Sequence, residues 1–237
     1  VALLLAAGCI GCFLLPTGCI ESDFVTDEDI VAIKLNSDGS TFWVKTIDSG
    51  KSDSIKKIIQ TSDEGYALAG SYSTPLCHSP GPVTPSVIRL SDTGEILWRK
   101  DYDLGLGGLP PYSPDQIAGI VQSPENGYYL VSSHGVLVKL DSQGKPVWRK
   151  NISSGTPDNL GISSPPLQNP DGSMVIGGSV LQCSIMPDTS YCDSRTIESE
   201  PFVTKLDPDG DPVWFTRIPY SNYLQPKSII KLPGNDG

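Results

Sequence analysis

An all-β fold made of repeated four-stranded antiparallel sheets is what this sequence predicts, and three observations predict it. Glycine and proline supply 24 and 21 of the 237 residues, well above their usual joint share of about 12%, which excludes a helical bundle or a long coiled coil. All four tryptophans recur at one place in one segment: VAIKLNSDGSTFWVKTI (31–47), VIRLSDTGEILWRKDY (87–102), VLVKLDSQGKPVWRKNI (136–152) and FVTKLDPDGDPVWFTRI (202–218). Each copy is followed by a second element: SIKKIIQTSDEGYALAGS (54–71), QIAGIVQSPENGYYLVSS (116–133), GISSPPLQNPDGSMVIGGS (161–179) and the shorter QPKSIIKLPGNDG (225–237).

In the first element an aliphatic run leads through Lys or Arg and Leu to a polar turn, then to a glycine (Gly39, Gly94, Gly144, Gly210) and, four residues on, to a tryptophan. Turns of this composition between short aliphatic runs are hairpin signals, because glycine tolerates the positive φ that tight turns require. The second element has the same form, so one repeat carries two hairpins and four strands. A lone four-stranded sheet cannot bury both of its faces. Radial stacking of such sheets does so at this repeat length, and the result is a β-propeller. The expected blades span about 30–71, 87–133, 136–179 and 202–237: three complete blades and part of a fourth, preceded by an apolar N-terminal helix. The chain ends in the turn where another strand is expected, so a longer propeller is expected too. Trp43, Trp98, Trp148 and Trp214 are expected to fill the wedge between neighbouring blades, with the indole N–H bonding a neighbour's carbonyl.

The run from Lys/Arg-Leu through Gly to Trp resembles the tryptophan-docking repeat of PQQ-like β-propellers, in which a Gly precedes a Trp by four positions, as Gly94 precedes Trp98. One departure is that the polar residue of the turn (Asn36, Ser91, Asp141, Asp207) lies three places before the glycine, where that family has an Asp four before. The second hairpins, DEGYALAGS and ENGYYLVSS, resemble repeats of uncharacterised secreted and surface lipoprotein propellers of archaea and bacteria. The resemblance covers 30–237 and implies the fold; it implies little about activity.

Residues 1–20 (VALLLAAGCIGCFLLPTGCI) hold no charge and are followed by an acidic stalk, 21–29. An apolar run of that length is either the core of a secretory signal or an anchor helix. No basic segment precedes it, so an export signal clipped at its start is expected. Gly18-Cys19 resembles a lipoprotein cleavage site, with Cys19 as the lipidated residue, although Pro16 stands where an aliphatic is usual. Either arrangement puts the body, 30–237, outside the cytoplasm as a membrane-anchored protein of the cell surface or periplasm. In such a compartment Cys183 and Cys192 can close a loop disulfide, free thiols being the alternative. Three body cysteines, His78 and His134, without a CxxC spacing, do not make a zinc site. Asn151-Ile152-Ser153 is the one N-glycosylation sequon.

A formal charge of −10 and a mean hydropathy of −0.12 argue against nucleic acid as a partner, because phosphate binding requires clustered cations. The chain has two histidines and no GxSxG, HExxH or phosphate-cradling loop, so neither nucleophilic nor zinc hydrolysis has its parts. No metal and no cofactor is expected. In an antiparallel meander the connections alternate between the two ends of a sheet. One end carries the short turns, and the other carries long irregular stretches at 72–86, 103–115 and 180–200. Variable loops on a rigid scaffold are where binding residues usually sit, and Tyr112, Tyr191, Arg195 and His78 are the candidate contacts there. The expectation is a noncatalytic propeller that binds or scaffolds a protein or carbohydrate partner through this end. The alternatives are a quinoprotein resembling PQQ-dependent dehydrogenases and a scaffold of an envelope assembly complex.

Overall fold

The computed structural model describes residues 2–12, 26–76, 79–104, 116–152, 159–182, 198–219 and 226–230. Two compact units divide the chain, 1–117 and 118–237. All regular structure in the described residues is β, and no helix there is long and apolar enough to cross a membrane.

The first unit holds two sheets. One is β1 (Ala2–Cys12), β2 (Thr26–Leu35) and β3 (Thr41–Ile47) in that order; the other is β4 (Ser52–Gln60), β5 (Tyr66–Leu76), β6 (Ser79–Leu90) and β7 (Ile96–Asp101). Unit two opens with a four-stranded sheet of β8 (Ile117–Gln122, whose first residue closes unit one), β9 (Tyr128–Ser132), β10 (Val136–Leu140) and β11 (Pro146–Asn151). It continues with β12 (Asn159–Ile162), β13 (Leu167–Gln168), β14 (Met174–Gln182), β15 (Glu198–Leu206) and β16 (Pro212–Arg217), where β12 and β13 both pair with β14. Every ladder is antiparallel.

Ala2–Cys12 is a strand paired with β2, Ala2 opposite Leu35. Gly8 and Gly11 each lower helix propensity by about 1 kcal/mol, while β2 offers a row of backbone donors and acceptors on that side. Next, each full sheet takes its four strands from two successive repeats: β4 and β5 are the second hairpin of one repeat, β6 and β7 the first hairpin of the next. The observed sheets are therefore 52–101, 117–151 and 159–217, half a repeat out of phase with the expected blades. Finally, most of 72–86 is not a loop. Tyr72 pairs with Thr84, Ser73 with Val83 and Leu76 with Ser79, in an extension of the β5/β6 ladder. Pro85 ends the pairing of β6 with β7 at Ser86: its carbonyl accepts from the Tyr102 N–H at 2.9 Å, but it has no N–H to return.

The four tryptophan hairpins share one turn. Its first residue donates its N–H to the carbonyl four residues on and accepts from the glycine, as in Asn36 to Ser40 (2.8 Å) with Gly39 to Asn36 (3.0 Å), and in Asp207 to Asp211 (2.9 Å) with Gly210 to Asp207 (2.9 Å). All four glycines have φ between 73° and 85°. The polar residue three places earlier is explained by its side chain. Asp141 Oδ1 accepts from the N–H groups of Gln143 and Lys145 (2.9 and 2.8 Å), and Asp207 Oδ1 from those of Asp209 and Asp211 (3.0 and 2.8 Å). In the second hairpins at 54–71 and 116–133 the left-handed residue is Glu64 or Asn126 (φ 65° and 63°), one before the glycine, whereas in 161–179 it is Gly172 itself (φ 83°). Gly65 and Gly127 are needed for closeness instead: a Cβ would fall 2.5 Å from the Leu90 carbonyl oxygen in one and 2.2 Å from that of Leu140 in the other.

One irregularity recurs in all four edge strands. The residue opposite the motif Lys or Arg is the tryptophan, yet the next Leu faces the residue two before it, as Lys139 faces Trp148 and Leu140 faces Pro146. Phe42, Leu97, Val147 and Val213 are thus the extra residues of four equivalent β-bulges, and each is more than half exposed.

Each unit has its own core. Ile30, Ala32, Ile47, Tyr66, Leu68, Ile88 and Leu90 pack between the two sheets of unit one, with Trp43 against them. In unit two the core runs through Tyr129, Val131, Leu137, Met174, Ile176, Val180, Phe202 and Leu206, with Trp148 and Phe215 against it.

Candidate functional site

Trp43 and Trp148 each join two sheets within one unit. Trp43 Nε1 donates to the carbonyl of Asp92 at 3.0 Å, its ring meets Tyr66 edge-on at 6.0 Å, and Lys34 Nζ donates to the same carbonyl at 3.0 Å. A Cβ on Gly94 would lie 3.1 Å from that indole, so glycine is what lets the ring approach the turn. Lys45 pairs with Glu95 beside it. In unit two Trp148 lies against Tyr129 (6.1 Å) and the Gly210 turn, Tyr129 Oη donates to the Pro208 carbonyl at 2.7 Å, and Lys150 pairs with Asp211 at 2.7 Å. Trp98 is half-buried, and Trp214 is 42% exposed.

Across the sheet from the short turns, at the end where the long connections arise, unit one has a cleft of about 390 Å³ lined by Asp48, Ser49, Lys51, Tyr72, Arg99 and Asp101. The elements that place these residues follow from the β5/β6 extension. Tyr72 leaves β5, Asp101 and Arg99 come from the end of β7, and the 48–51 connection enters from β3. Tyr72 Oη donates to Asp101 Oδ2 at 2.8 Å. Lys51 Nζ and the Arg99 guanidinium lie over the Tyr72 ring, 4.1 and 5.1 Å from its centre, where the negative face of the ring attracts cations. Behind the cleft Asp53, 2% exposed, accepts from Arg99 Nη2 at 2.9 Å and from the Ser49 N–H at 3.1 Å. This carboxylate therefore fixes both the connection and the guanidinium. The Asp48 side chain accepts from the Gly50 N–H at 2.5 Å, which closes the connection on itself.

Asp29 of β2 is a second buried acid in this unit, 3% exposed, and its Oδ1 has no hydrogen-bond partner. Burial first, and then the Asp48 and Asp53 charges, push its carboxyl above the ordinary 3.8. A raised value in the folded state means that Asp29 favours folding below pH 3.8 and that this contribution is lost as pH rises through the raised value. Asp29→Asn is expected to melt higher than the parent at pH 7 and equally at pH 3; melting temperatures across that range check it, and a constant difference would refute the assignment.

The cleft suits recognition of charged groups. It offers two cations, two carboxylates and a phenol, while the Ser49 hydroxyl donates to the Lys51 carbonyl (3.4 Å) rather than to a base. Among the described residues no three His, Cys, Asp or Glu side chains converge to hold a metal ion. Asp207, whose DPDGD run is superficially calcium-like, spends Oδ1 on two turn N–H groups. His78, Tyr112, Tyr191 and Arg195 lie outside the described residues, as do Cys19, Cys183 and Cys192. Asn151 is exposed at the end of β11. None of the cleft residues was a sequence candidate. The available signal was aspartate inside or at the end of a strand (Asp53, Asp101), a residue type that strands disfavour.

The chain is a repeat protein of antiparallel, mostly four-stranded sheets. No protein family matches it, and no curated protein does. Among solved structures it is similar to a protein of unknown function from Bacteroides caccae, with 12% identity and a TM-score of 0.42 over 80% of this chain and 78% of that one. It is also similar to BamB from Moraxella catarrhalis, with 13% identity and a TM-score of 0.39 over 80% of this chain and 57% of BamB. A eukaryotic initiation factor follows at 10% identity and a TM-score of 0.24, covering 87% and 65%.

Proposed function

We propose that this chain is part of a noncatalytic, membrane-tethered, extracytoplasmic β-propeller that binds a protein partner through the long-connection end of its sheets. The observation that carries the proposal is the polar cleft at that end of the β4–β7 sheet. Its two cations and two carboxylates lie within one small opening, and charged side chains of both signs are what a partner's polar surface complements. With Lys51 and Arg99 over its ring, Tyr72 is no bare platform for a sugar, and this favours protein over carbohydrate. Tethering rests on Cys19 and the compartment on the sequence of the apolar segment; cleavage before Cys19 removes β1 and leaves β2 at the edge of its sheet.

Two measurements test this. Cys19→Ala is expected to move the protein from the membrane to the soluble fraction of its native cell; unchanged fractionation removes the lipid anchor. A photo-crosslinking residue at position 51 is expected to give a discrete protein adduct in intact cells, while the same probe at Val147 gives none. Equal labelling at the two positions, or none at 51, defeats the binding assignment.

A further inference from the structure

The hydrogen-bonding capacity of the cleft is spent unevenly. Its carboxylates are largely engaged by the chain itself. Asp53 uses both oxygens, on Arg99 Nη2 and the Ser49 N–H, while Asp48 gives Oδ1 to the Gly50 N–H and Asp101 gives Oδ2 to the Tyr72 hydroxyl. The cations are not engaged to the same degree. Among the described residues Lys51 Nζ has no oxygen partner. It rests on the Tyr72 ring at 4.1 Å, a contact that holds an ammonium in place without consuming its N–H groups. Arg99 spends one N–H on Asp53, and its side chain is 22% exposed. Three N–H groups on Lys51 and four of the five on Arg99 are therefore open to acceptors from outside the chain.

Resting on the partner-binding assignment above, we propose that the cleft takes one carboxylate from its partner, the side chain of an aspartate or glutamate, held by Lys51 Nζ and the remaining N–H groups of Arg99. Both cations are half-buried, where an ion contact is stronger than in open solvent. Asp53 already offsets the charge of Arg99. Asp48 and Asp101 are exposed, so solvent and salt screen them and they do not cancel Lys51. They are close enough to repel a second anion, so the acid comes on a segment that is not otherwise acidic, and a neighbouring lysine or arginine on it is favoured. Phosphate, with close to two charges, is disfavoured on the same ground.

Carbodiimide, by taking up water, condenses a lysine amine with a carboxylate that touches it, and so reads this chemistry in the unmodified protein. In treated intact cells, mass spectrometry is expected to find Lys51 in an amide with an aspartate or glutamate of another protein. Lys145→Met, an exposed lysine on a short turn, leaves that conjugate unchanged. With a photo-crosslinking residue at position 49, Lys51→Met is expected to lower the adduct about fivefold, the scale of losing a solvent-accessible ion pair, and Lys51→Arg to keep it. The photo-adduct reports whether a partner is present, and the amide reports what it offers. Photo-adducts indifferent to Lys51→Met, or Lys51 amidated only by Asp48 or Asp101 of its own chain while photo-adducts form, overturn the carboxylate and leave the partner. Absence of photo-adducts at both 49 and 51 removes the two assignments together.

Discussion

Gly210→Ala is expected to destabilise unit two by about 2–5 kcal/mol. Two costs add. A left-handed backbone, φ 83° here, costs a non-glycine residue about 1–2 kcal/mol. The new methyl would also fall 2.6 Å from Trp148 Cη2 and 3.0 Å from Leu137 Cδ2, and overpacking of a filled site costs about 1–3 kcal/mol. Gly39→Ala separates these costs, because its φ is 85° and its Cβ has open space. It should lose only the backbone share, about 1–2 kcal/mol. Urea unfolding of both variants gives the difference directly. Equal losses would mean that the Trp148 ring yields at no cost and that sheet joining does not depend on glycine at this turn.

Arg99→Ala is expected to cost about 3 kcal/mol and to open the cleft. Asp53 is nearly inaccessible and its Oδ1 is held by Arg99. Removing one partner of a buried pair strands the other charge, which is worse than having neither. The double change Arg99→Ala with Asp53→Ala should therefore be less damaging than Arg99→Ala alone, and a cycle of the four proteins by thermal melting measures the coupling. If the double variant loses the sum of the two single losses, Asp53 does not depend on Arg99. The Ser49 N–H keeps its bond to Asp53 in the single variant, and this limits how far the 48–51 connection can move.

The repeat, its turns and the special place of tryptophan were legible because each has a local signature. A glycine at positive φ and an indole at a fixed distance from it recur whatever surrounds them. Sheet membership had no such signature. The 48–51 connection, which passes from one sheet to the next, is short, while the Ser-, Thr- and Pro-rich stretch around 72–86 has loop composition and forms ladder. Which strand lies beside each of its prolines is a fact of pairing that no window of sequence contains. The cleft was hidden for the same reason. Lys51, Tyr72 and Arg99 are far apart in sequence and ordinary in type, and only the register Asp53 opposite Tyr72, with β7 two strands away, brings them together. What sequence could supply was the end of the sheet on which to look.

The half-repeat phase bears on how such a chain can change its length over generations. An in-frame deletion from 91 to 140 would join Leu90 to Asp141, preserve the turn, and lay β11 against β6 in the ladder that β7 now occupies. The outcome is a hybrid sheet, β4-β5-β6-β11, and one sheet fewer, with no strand orphaned. Recombination between equivalent codons therefore need not respect the borders of a folded sheet, and sheet number can drift by unequal crossing-over while every surviving hairpin keeps its partner.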